Sequence, residues 1–332
     1  MAVQLGFMRP SRLLQNQNLI LQVALLLIVT FTILADLMPG FYLAEMLGHF
    51  RLHYILALVI LGFLYLRQGR YLFFVCASIC LLLNVSRLSD YFPIGAKQSI
   101  AMSENKAQEI TLLYANIYRD NGSKDDVVEF FRKSGADVIA VVEATENWTA
   151  ALDGLGERYP YRHFYAREDN FGLAVMSRIQ ILSSEQIRPG NIGKPTMRFR
   201  LDVDSGSFEI LLTHAFPPMS LGGFRERNQQ LIELASLAAS EPDIHILLGD
   251  MNVTPWSSVF REVLRVSKFR DAREGLGYRA TWPSVLGPLG LPIDQLLLGK
   301  DVSLVNMHPV HIPGSDHRGL FARIAVEGDP ES

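Results

Sequence analysis

Three apolar runs near the start of this 332-residue chain constrain its fold more than any other feature. The first, residues 19–34 (LILQVALLLIVTFTIL), lies within a longer stretch that carries no charge. The other two, 53–66 and 71–85, flank a short RQGR turn. Because about 20 apolar residues suffice for a helix to cross a bilayer, the sequence predicts a membrane segment over residues 1–88. Its predicted transmembrane helices are 18–37, 52–67 and 71–87.

The second and third runs are shorter than a full span, so their interpretation has an alternative. Arginine side chains can extend an apolar run by reaching back to the membrane surface, and four arginines border these two runs: Arg51, Arg67, Arg70 and Arg87. A re-entrant hairpin or a pair of buried core helices would also fit. A cleaved signal peptide is not expected, because two further apolar segments follow the first.

The positions of the basic residues predict an orientation for these helices. Arg9 and Arg12 precede the first run, and Arg67 and Arg70 lie between the second and third. Since cytoplasmic loops hold the excess of Lys and Arg, both basic clusters are expected inside the cell. Three crossings then place everything after Arg87 outside, which for a bacterial inner-membrane protein is the periplasm. Two crossings would instead place the residues after Arg87 inside the cell.

The remainder of the chain has the composition of an ordinary globular domain. Residues 1–100 carry seven basic and three acidic side chains, which leaves 24 basic and 31 acidic residues beyond them. Cys76 and Cys80 lie in the third apolar run, where two cysteines are too few for a zinc site. This distribution excludes a disordered chain, a disulfide scaffold and a wholly soluble enzyme.

A polar segment, 89–108, is predicted to be a linker, and 109–328 to be the globular domain. Within that domain, short apolar runs alternate with stretches of helical periodicity. Strands are predicted at 109–117, 136–144, 171–178, 197–203, 207–215, 244–252, 293–299 and 317–326, and helices at 123–135 and 224–240. Many strands with few helices favour an α/β fold of two packed sheets with helices outside.

Polar side chains close or directly follow many of these buried strands: Asn116, Glu143, His214, Asp250, Asn252, Asp294, Asp316 and His317. Carboxylate and amide oxygens suit Mg²⁺, and an imidazole can move a proton at neutral pH. Most of these residues also have a simpler interpretation: a turn former for Asn116, Asp250 and Asn252, a salt bridge for Glu143, a core histidine for His214, and a surface turn before an edge strand for Asp316 and His317. Their occurrence together in this order favours a catalytic site.

In the segments that contain these residues, the chain resembles the endonuclease/exonuclease/phosphatase superfamily of divalent-metal phosphoesterases. The resemblance extends from about residue 110 to residue 326. The matching motifs are YANI (114–117), VVEA (141–144), GLAVMSR (172–178), LLTHAFPP (211–218), LLGDMNVTPWS (247–257), ATWP (280–283), PIDQLLL (292–298) and GSDHRGL (314–320). The combination of GDMN, SDHR and an upstream apolar strand that ends in Glu is specific to this family.

The resemblance implies a four-layer α/β sandwich, with two mixed sheets flanked by helices and the active site where strand ends of the two sheets meet. By position, the metal ligands would be Glu143, Asn116 and Asp316. The catalytic residues would be His317 as general base, Asp294 as its orienting partner, Asp250 and Asn252 at the nucleophile, and His214 at the phosphate. Arg178, Arg227 and Trp282 would bind substrate. Mg²⁺ is the implied cofactor, with Mn²⁺ as a substitute.

Two positions depart from the family pattern. Some nucleases of the family carry a glutamate that supports the first histidine, and Glu168 does not align clearly with it. Gln295 stands where a histidine is common. Neither departure removes a core catalytic group, but both leave the substrate open.

Charge and tethering bear on the choice of substrate. The excess of acidic over basic residues after residue 100 argues against non-specific binding to duplex nucleic acid. Two local basic groups nevertheless occur, at 188–200 and at Arg225 with Arg227. Both groups also fit solvated surfaces. A membrane-anchored phosphoesterase acting on lipid headgroups or small phosphodiesters is the leading hypothesis. The alternative is a tethered nuclease, and a catalytically silent binding module is a third. The expected partners are the substrate and the bilayer, and no obligate protein partner is inferred.

Overall fold

The protein is described here by a computed structural model that covers residues 12–92, 108–191, 193–204 and 206–326. The chain divides into two compact units, Met1–Leu88 and Ser89–Ser332. Most of the predicted linker, residues 93–107, lies outside the described residues, as do Arg9 and residues 327–328 at the predicted end of the globular domain.

The first unit consists of helices in its described part. They are α1 (Arg12–Leu37), α2 (Tyr42–Gly48), α3 (Arg51–Arg67) and α4 (Tyr71–Leu88). The segments Asn16–Leu37 and Tyr71–Tyr91 are each long and apolar enough to cross a membrane. Helices α2 and α3 meet that criterion only as a pair bent by 62°. With 17 residues, α3 alone spans about 26 Å, slightly less than the bilayer core.

An ion-pair cluster joins three helix ends of the first unit. Arg51, the first residue of α3, donates to Asp36 near the end of α1 over 2.6 Å, and Arg87 near the end of α4 lies 3.2 Å from the same carboxylate. Asn84 donates to the Thr32 hydroxyl over 2.9 Å. The ends of α1 and α4 and the start of α3 therefore lie at one end of the helical unit.

The second unit contains two mixed sheets. The first has the strand order β11-β12-β1-β2-β4-β3, and the second β5-β6-β7-β8-β10-β9. The strands are β1 (Gln108–Asn116), β2 (Val138–Val142), β3 (Tyr161–Tyr165), β4 (Leu173–Ser177), β5 (Ile181–Ile187), β6 (Thr196–Val203), β7 (Gly206–His214), β8 (Ile244–Asp250), β9 (Arg270–Asp271), β10 (Asp294–Leu298), β11 (Val302–His311) and β12 (Arg318–Val326).

Helices cover the outer face of each sheet. They are α5 (Lys124–Lys133), α6 (Glu146–Asp153), α7 (Leu221–Ser240) and α8 (Ser258–Ser267), with short 3₁₀ helices at Ser89–Tyr91, Pro189–Asn191 and Ser284–Leu289. Strand β1 shows how alternation builds the layers. Leu112 and Tyr114 face the core between the sheets, whereas Leu113 and Ala115 pack beneath α5 and α6. Helices α7 and α8 bury the outer face of the second sheet in the same way, which confirms the expected α/β sandwich.

The strands absent from the sequence prediction all lie at sheet edges. In the described chain these are β11 and β3 in the first sheet and β5 and β9 in the second. An edge strand buries less of its surface, so its sequence lacks a continuous apolar run. Strand β5 reads ILSSEQI, and β11 contains Pro309, a residue that sheets tolerate at their edges. Helix α8 was also not predicted.

Candidate active site

Strand pairing in the second sheet aligns three of the predicted site residues. His214 at the end of β7 is in register with Asp250 at the end of the parallel strand β8. Asp250 is in turn in register with Asp294, the first residue of the antiparallel strand β10. A single row across the sheet edge therefore presents one imidazole and two carboxylates.

The first sheet contributes a matching row. Asn116 ends β1 and Glu143 follows the parallel strand β2, while His317 precedes β12, which runs antiparallel to β1. The hydroxyl of Ser315 donates to the carbonyl of Asn116 over 2.7 Å and fixes the approach to His317. Glu143 has a positive φ of 67°, a conformation that a non-glycine residue rarely adopts.

His317 and Asp294 form a buried ion pair between the sheets. The Nδ1 atom of His317 lies 2.9 Å from Oδ2 of Asp294, whose other oxygen accepts from the Tyr114 hydroxyl over 2.9 Å. Nε2 of His317 lies 3.6 Å from Oδ2 of Asp250. Because Asp294 holds Nδ1, the ring nitrogen that faces Asp250 is Nε2.

The ionisation of this group reflects burial and mutual charge. Burial lowers the pKa of His317, but the carboxylates of Asp294 and Asp250 outweigh it and raise that pKa to about 10. Burial also raises the pKa of Asp294, yet the His317 charge and hydrogen bond bring it below its ordinary value. Burial and the neighbouring charge of Asp294 raise the pKa of Asp250 to about 6.

Asn116 connects the two sheets through its side-chain amide. Its Nδ2 atom donates to Oε1 of Glu143 over 3.0 Å and to Oδ2 of Asp250 over 3.2 Å. The other oxygen of Glu143 accepts from the backbone N–H of Arg119 over 2.9 Å. Two buried carboxylates from different sheets thus share one amide group, an arrangement that favours a bound cation.

His214 is oriented by the main chain. Its Nδ1 atom lies 2.6 Å from the carbonyl oxygen of Asn170, and its Nε2 atom lies 3.5 Å from Asp250. Glu168 instead accepts from the backbone N–H of Glu146 over 3.2 Å. The Asn170 carbonyl therefore contacts His214 in the way that a glutamate does in some nucleases of the family pattern.

Asn252 and Arg227 organise the loop that follows β8. The Asn252 backbone N–H donates to Asp250 over 2.9 Å, and its side chain donates to the Ala215 carbonyl over 3.0 Å. The fully buried Arg227 donates to the Asn252 carbonyl over 2.7 Å. Arg227 thus contacts the loop that contains the predicted site residue Asn252.

Asp316 and Trp282 lie at the exposed side of the site. The Trp282 indole N–H donates to Asp316 over 3.0 Å, and the indole ring centroid lies 6.4 Å from that of His317. The contacts of Asp316 are thus with the loop that bears Trp282.

Arg178 lies away from this group. Strand β4 runs antiparallel to β2 and pairs Ser177 with Val138, at the opposite end of β2 from Glu143. That separation is roughly 17 Å along the strand. Arg178 donates to the Gly135 carbonyl over 3.3 Å and lies 3.7 Å from Asp137.

Three residues that support the site were not assigned a role from the sequence. Tyr114 stands in the YANI block, but its contact with Asp294 spans 180 positions. Arg273 is fully buried and donates to the Asp294 carbonyl and to Gln295. The Thr281 hydroxyl accepts from the N–H of Asp294 over 3.3 Å. Their sequence signal is position alone: Tyr114 lies in YANI and Thr281 in ATWP, while Arg273 lies seven residues before ATWP.

Carboxylates and imidazole at this edge have the composition of a metal site. In the described part of the chain, Asp250, Asp294 and His317 present ligand atoms that all lie within 4.8 Å of one another. This set differs from the predicted ligands Glu143, Asn116 and Asp316. Because His317 and Asp294 already satisfy each other, the carboxylate oxygens of Glu143 and Asp250 suit a hard divalent cation better. The side-chain oxygen of Asn116 accepts from the Tyr118 N–H over 3.0 Å.

Comparisons with known proteins agree with this architecture. The family model described as "Endonuclease/Exonuclease/phosphatase family" matches residues 113–317. No curated protein matches the sequence.

Solved structures with the same fold include two of Danio rerio TDP2. A humanized form has a TM-score of 0.54 at 18% identity, covering 65% of this chain and 98% of that one. A complex with a single-strand DNA product has a TM-score of 0.55 at 17% identity, covering 65% and 99%. An endonuclease/exonuclease/phosphatase from Beutenbergia cavernae gives 0.54 at 16% identity, covering 68% and 73%. At these identities the likeness concerns the fold.

Proposed function

Because the chain belongs to the endonuclease/exonuclease/phosphatase family, we propose that it is a membrane-anchored, divalent-metal-dependent phosphoesterase. Its substrate is a phosphodiester or phosphomonoester, with lipid headgroups and small phosphodiesters as the leading class. Mg²⁺ is the proposed cofactor, and Mn²⁺ the substitute.

The observation that carries this proposal is the convergence of acid, amide and imidazole groups from both sheets. Asp250 is the meeting point, since Asn116, His214 and His317 all lie within 3.6 Å of its Oδ2 atom. Three buried carboxylates and two imidazoles gathered at one edge are typical of a functional site.

The proposed metal ligands are Glu143 and Asn116, with Asp250 beside them. Asp316 stays a proposed further ligand, although its contact is with Trp282. When bound, a divalent ion neutralises charge on the phosphoryl oxygens and stabilises the leaving oxygen.

The proton transfer is assigned to His317. Its Nε2 atom takes the proton of the attacking water, while Asp294 holds Nδ1 and keeps the ring in position. Tyr114 holds Asp294 in turn. The neutral imidazole that this step needs is favoured when positive charge lies among the carboxylates, because like charge lowers the pKa of an imidazole. Water attacks in line, and no covalent enzyme intermediate forms.

The remaining site residues position the reacting groups. Asp250 and Asn252 orient the water and stabilise the transition state through the loop that Arg227 fixes. His214, oriented by the Asn170 carbonyl, contacts the phosphate or assists the leaving oxygen.

We also propose that the first unit crosses the membrane three times. The cluster of Asp36, Arg51 and Arg87 supports this topology, because it groups the helix ends that alternating crossings place on one side. The second unit then lies on the side opposite the RQGR turn. In a bacterium that side is the periplasmic face of the inner membrane.

Nucleic acid is the second candidate substrate. It is favoured by the fold shared with TDP2, one structure of which is complexed with a single-strand DNA product. The charge arrangement weighs against it: Arg198 and Arg200, in one of the two basic groups, are both paired with the buried carboxylate of Glu209. Such pairs leave less positive charge for phosphate contacts.

The test is hydrolysis by the purified full chain in detergent, with Mg²⁺ and then with a chelator. Parallel substrates are plasmid DNA, sphingomyelin and glycerophospholipid in mixed micelles with that detergent, and a chromogenic phosphodiester. Chelator-sensitive headgroup release with intact DNA is expected. DNA nicking instead would favour the nuclease, and lack of turnover on every substrate would contradict the proposal and favour a binding module.

A further inference from the structure

The loop that leads into Asp294 exposes aliphatic side chains beside the site. Residues 280–293 (ATWPSVLGPLGLPI) contain no charge. Val285 is 87% exposed, and Leu286 and Leu289 are about half exposed. Neighbouring apolar side chains left in water are unfavourable, and such exposed patches mark interaction surfaces.

The base of this loop is fixed to the strands that carry the site. Trp282 pairs with Leu291 as an isolated β-bridge and donates to Asp316. Ser284 donates through its N–H to the Asp316 carbonyl over 2.7 Å and through its hydroxyl to the Ser315 carbonyl over 2.9 Å. The exposed tip is therefore held at a set position relative to His317.

A second apolar tip leaves the same sheet edge. The segment after His214 contains Met219, which is 85% exposed, followed by the exposed Leu221. Since His214 is in register with Asp250, and Asp250 with Asp294, this segment leaves the row of site residues and the 280–293 loop leads into it. Met219, Trp282, Val285, Leu286 and Leu289 are called the apolar rim below.

We propose that the apolar rim inserts into the boundary of a lipid bilayer and brings a lipid headgroup phosphoester to the site. This inference rests on the proposed phosphoesterase function and narrows its substrate to membrane lipid. The same chain carries helices apolar enough to cross a membrane, and the proposed anchoring would keep its second unit near a bilayer.

The chemistry of the apolar rim fits lipid better than nucleic acid. Four of its five side chains are aliphatic or thioether groups that cannot stack on bases as aromatic rings do, and residues 280–293 offer no cation to a phosphate backbone. Aliphatic side chains at an exposed loop tip gain free energy when they enter hydrocarbon.

The first test measures insertion and does not require turnover. In the full chain with Cys76→Ala and Cys80→Ala, a Val285→Cys variant carries an environment-sensitive fluorophore. The chain is reconstituted into phosphatidylcholine vesicles with or without doxyl-labelled acyl chains. The matched control is Leu182→Cys, an exposed leucine that strand pairing places at the opposite sheet edge from His214, roughly 20 Å away.

Quenching at position 285 with none at 182 is the expected result. Absence of quenching at 285, or equal quenching at both positions, would overturn the proposal. Self-quenching between labels at 285 without quenching by lipid would assign the surface to a second copy of the chain and would also overturn it.

The second test uses the ratio of vesicle-lipid hydrolysis to soluble chromogenic phosphodiester hydrolysis. The triple variant Val285→Ser, Leu286→Ser and Leu289→Ser is expected to lower this ratio about tenfold, whereas Leu182→Ser leaves it unchanged. An unchanged ratio in the triple variant overturns the inference but leaves the phosphoesterase intact. Inactivity of the parent chain on both substrates refutes the proposed function, while the quenching experiment still decides on insertion.

Discussion

The charge on His317 depends on two carboxylates that reach it from the second sheet. Asp294 holds Nδ1 and Asp250 lies near Nε2, and together they raise the pKa of this buried ring to about 10. Tyr114 reaches Asp294 from the first sheet. Any change at one of these residues therefore alters the proton affinity of the others.

Stability of the metal-free chain should fall as the pH rises through this range. The folded state binds the His317 proton more tightly than the unfolded state does, because the pKa of an ordinary histidine, expected in the unfolded chain, is 6.5. The stabilisation is therefore complete below pH 6.5 and is lost as the pH approaches about 10. Thermal unfolding with a chelator present, followed across this window, measures the slope. His317→Ala should flatten it and the exposed His311→Ala should not; equal slopes in parent and His317→Ala would contradict the assignment.

Asp294→Asn should damage both catalysis and stability. It leaves the His317 ring buried without its ionic partner, so the free energy of unfolding should fall by about 3 kcal/mol. Loss of the held imidazole should lower kcat by roughly 10²–10⁴ with little change in KM. Urea unfolding and steady-state kinetics check these effects, with the exposed Asp153→Asn as control. A variant with parental kcat would remove Asp294 from the mechanism.

For single residues, the motifs indicate which side chains gather at the site, but they do not identify every group that positions those side chains. Asn116, Glu143, Asp250 and His317 stand at strand ends, so their convergence follows from strand order. The Asn170 carbonyl that orients His214 leaves no mark in the sequence, because every residue has a carbonyl group. The position of Arg178 depends on β4 running antiparallel to β2, which an apolar run does not reveal.

At the element scale, prediction succeeded where burial is complete. Strands such as β2 (VIAVV) are covered on both faces and read as unbroken apolar runs. Strands β3 and β5 at the edges carry Arg162, Ser183 and Glu185, which obscure the alternation. Sheet order required tertiary information, since the neighbours β1 and β12 lie at opposite ends of the domain sequence.

Arg227→Leu should test how helix α7 supports the site. The change removes the donor to the Asn252 carbonyl from a fully buried position, so the free energy of unfolding should fall by about 1–3 kcal/mol. Arg225→Leu, an exposed neighbour on the same helix, should have little effect on either stability or turnover. Urea unfolding with parallel assays compares them. Parental stability with a raised KM in the Arg227 variant would instead favour direct substrate binding.

In the whole molecule, a three-crossing topology requires the two ends of α3 to lie on opposite sides of the membrane. In a chain with Cys76→Ala and Cys80→Ala, Gln68→Cys in the RQGR turn and Gly40→Cys between α1 and α2 should react with an impermeant thiol reagent from opposite sides. A cysteine at Lys300, on the second unit, should react from the same side as Gly40. Labelling of Gln68 and Lys300 from one side would contradict the three-crossing topology.

Glu143 and its neighbours are proposed to hold a divalent metal for phosphoester hydrolysis. The most direct measurement is turnover of a chromogenic phosphodiester by the full chain after chelation and stepwise return of Mg²⁺, for the parent, Glu143→Gln and Glu146→Gln. Glu146 is the matched control, because it is exposed and lies three residues away. Mg²⁺ should restore activity in the parent and in Glu146→Gln, and activity should be abolished in Glu143→Gln. Chelator-resistant turnover, or parental activity in Glu143→Gln, would contradict the proposed metal site.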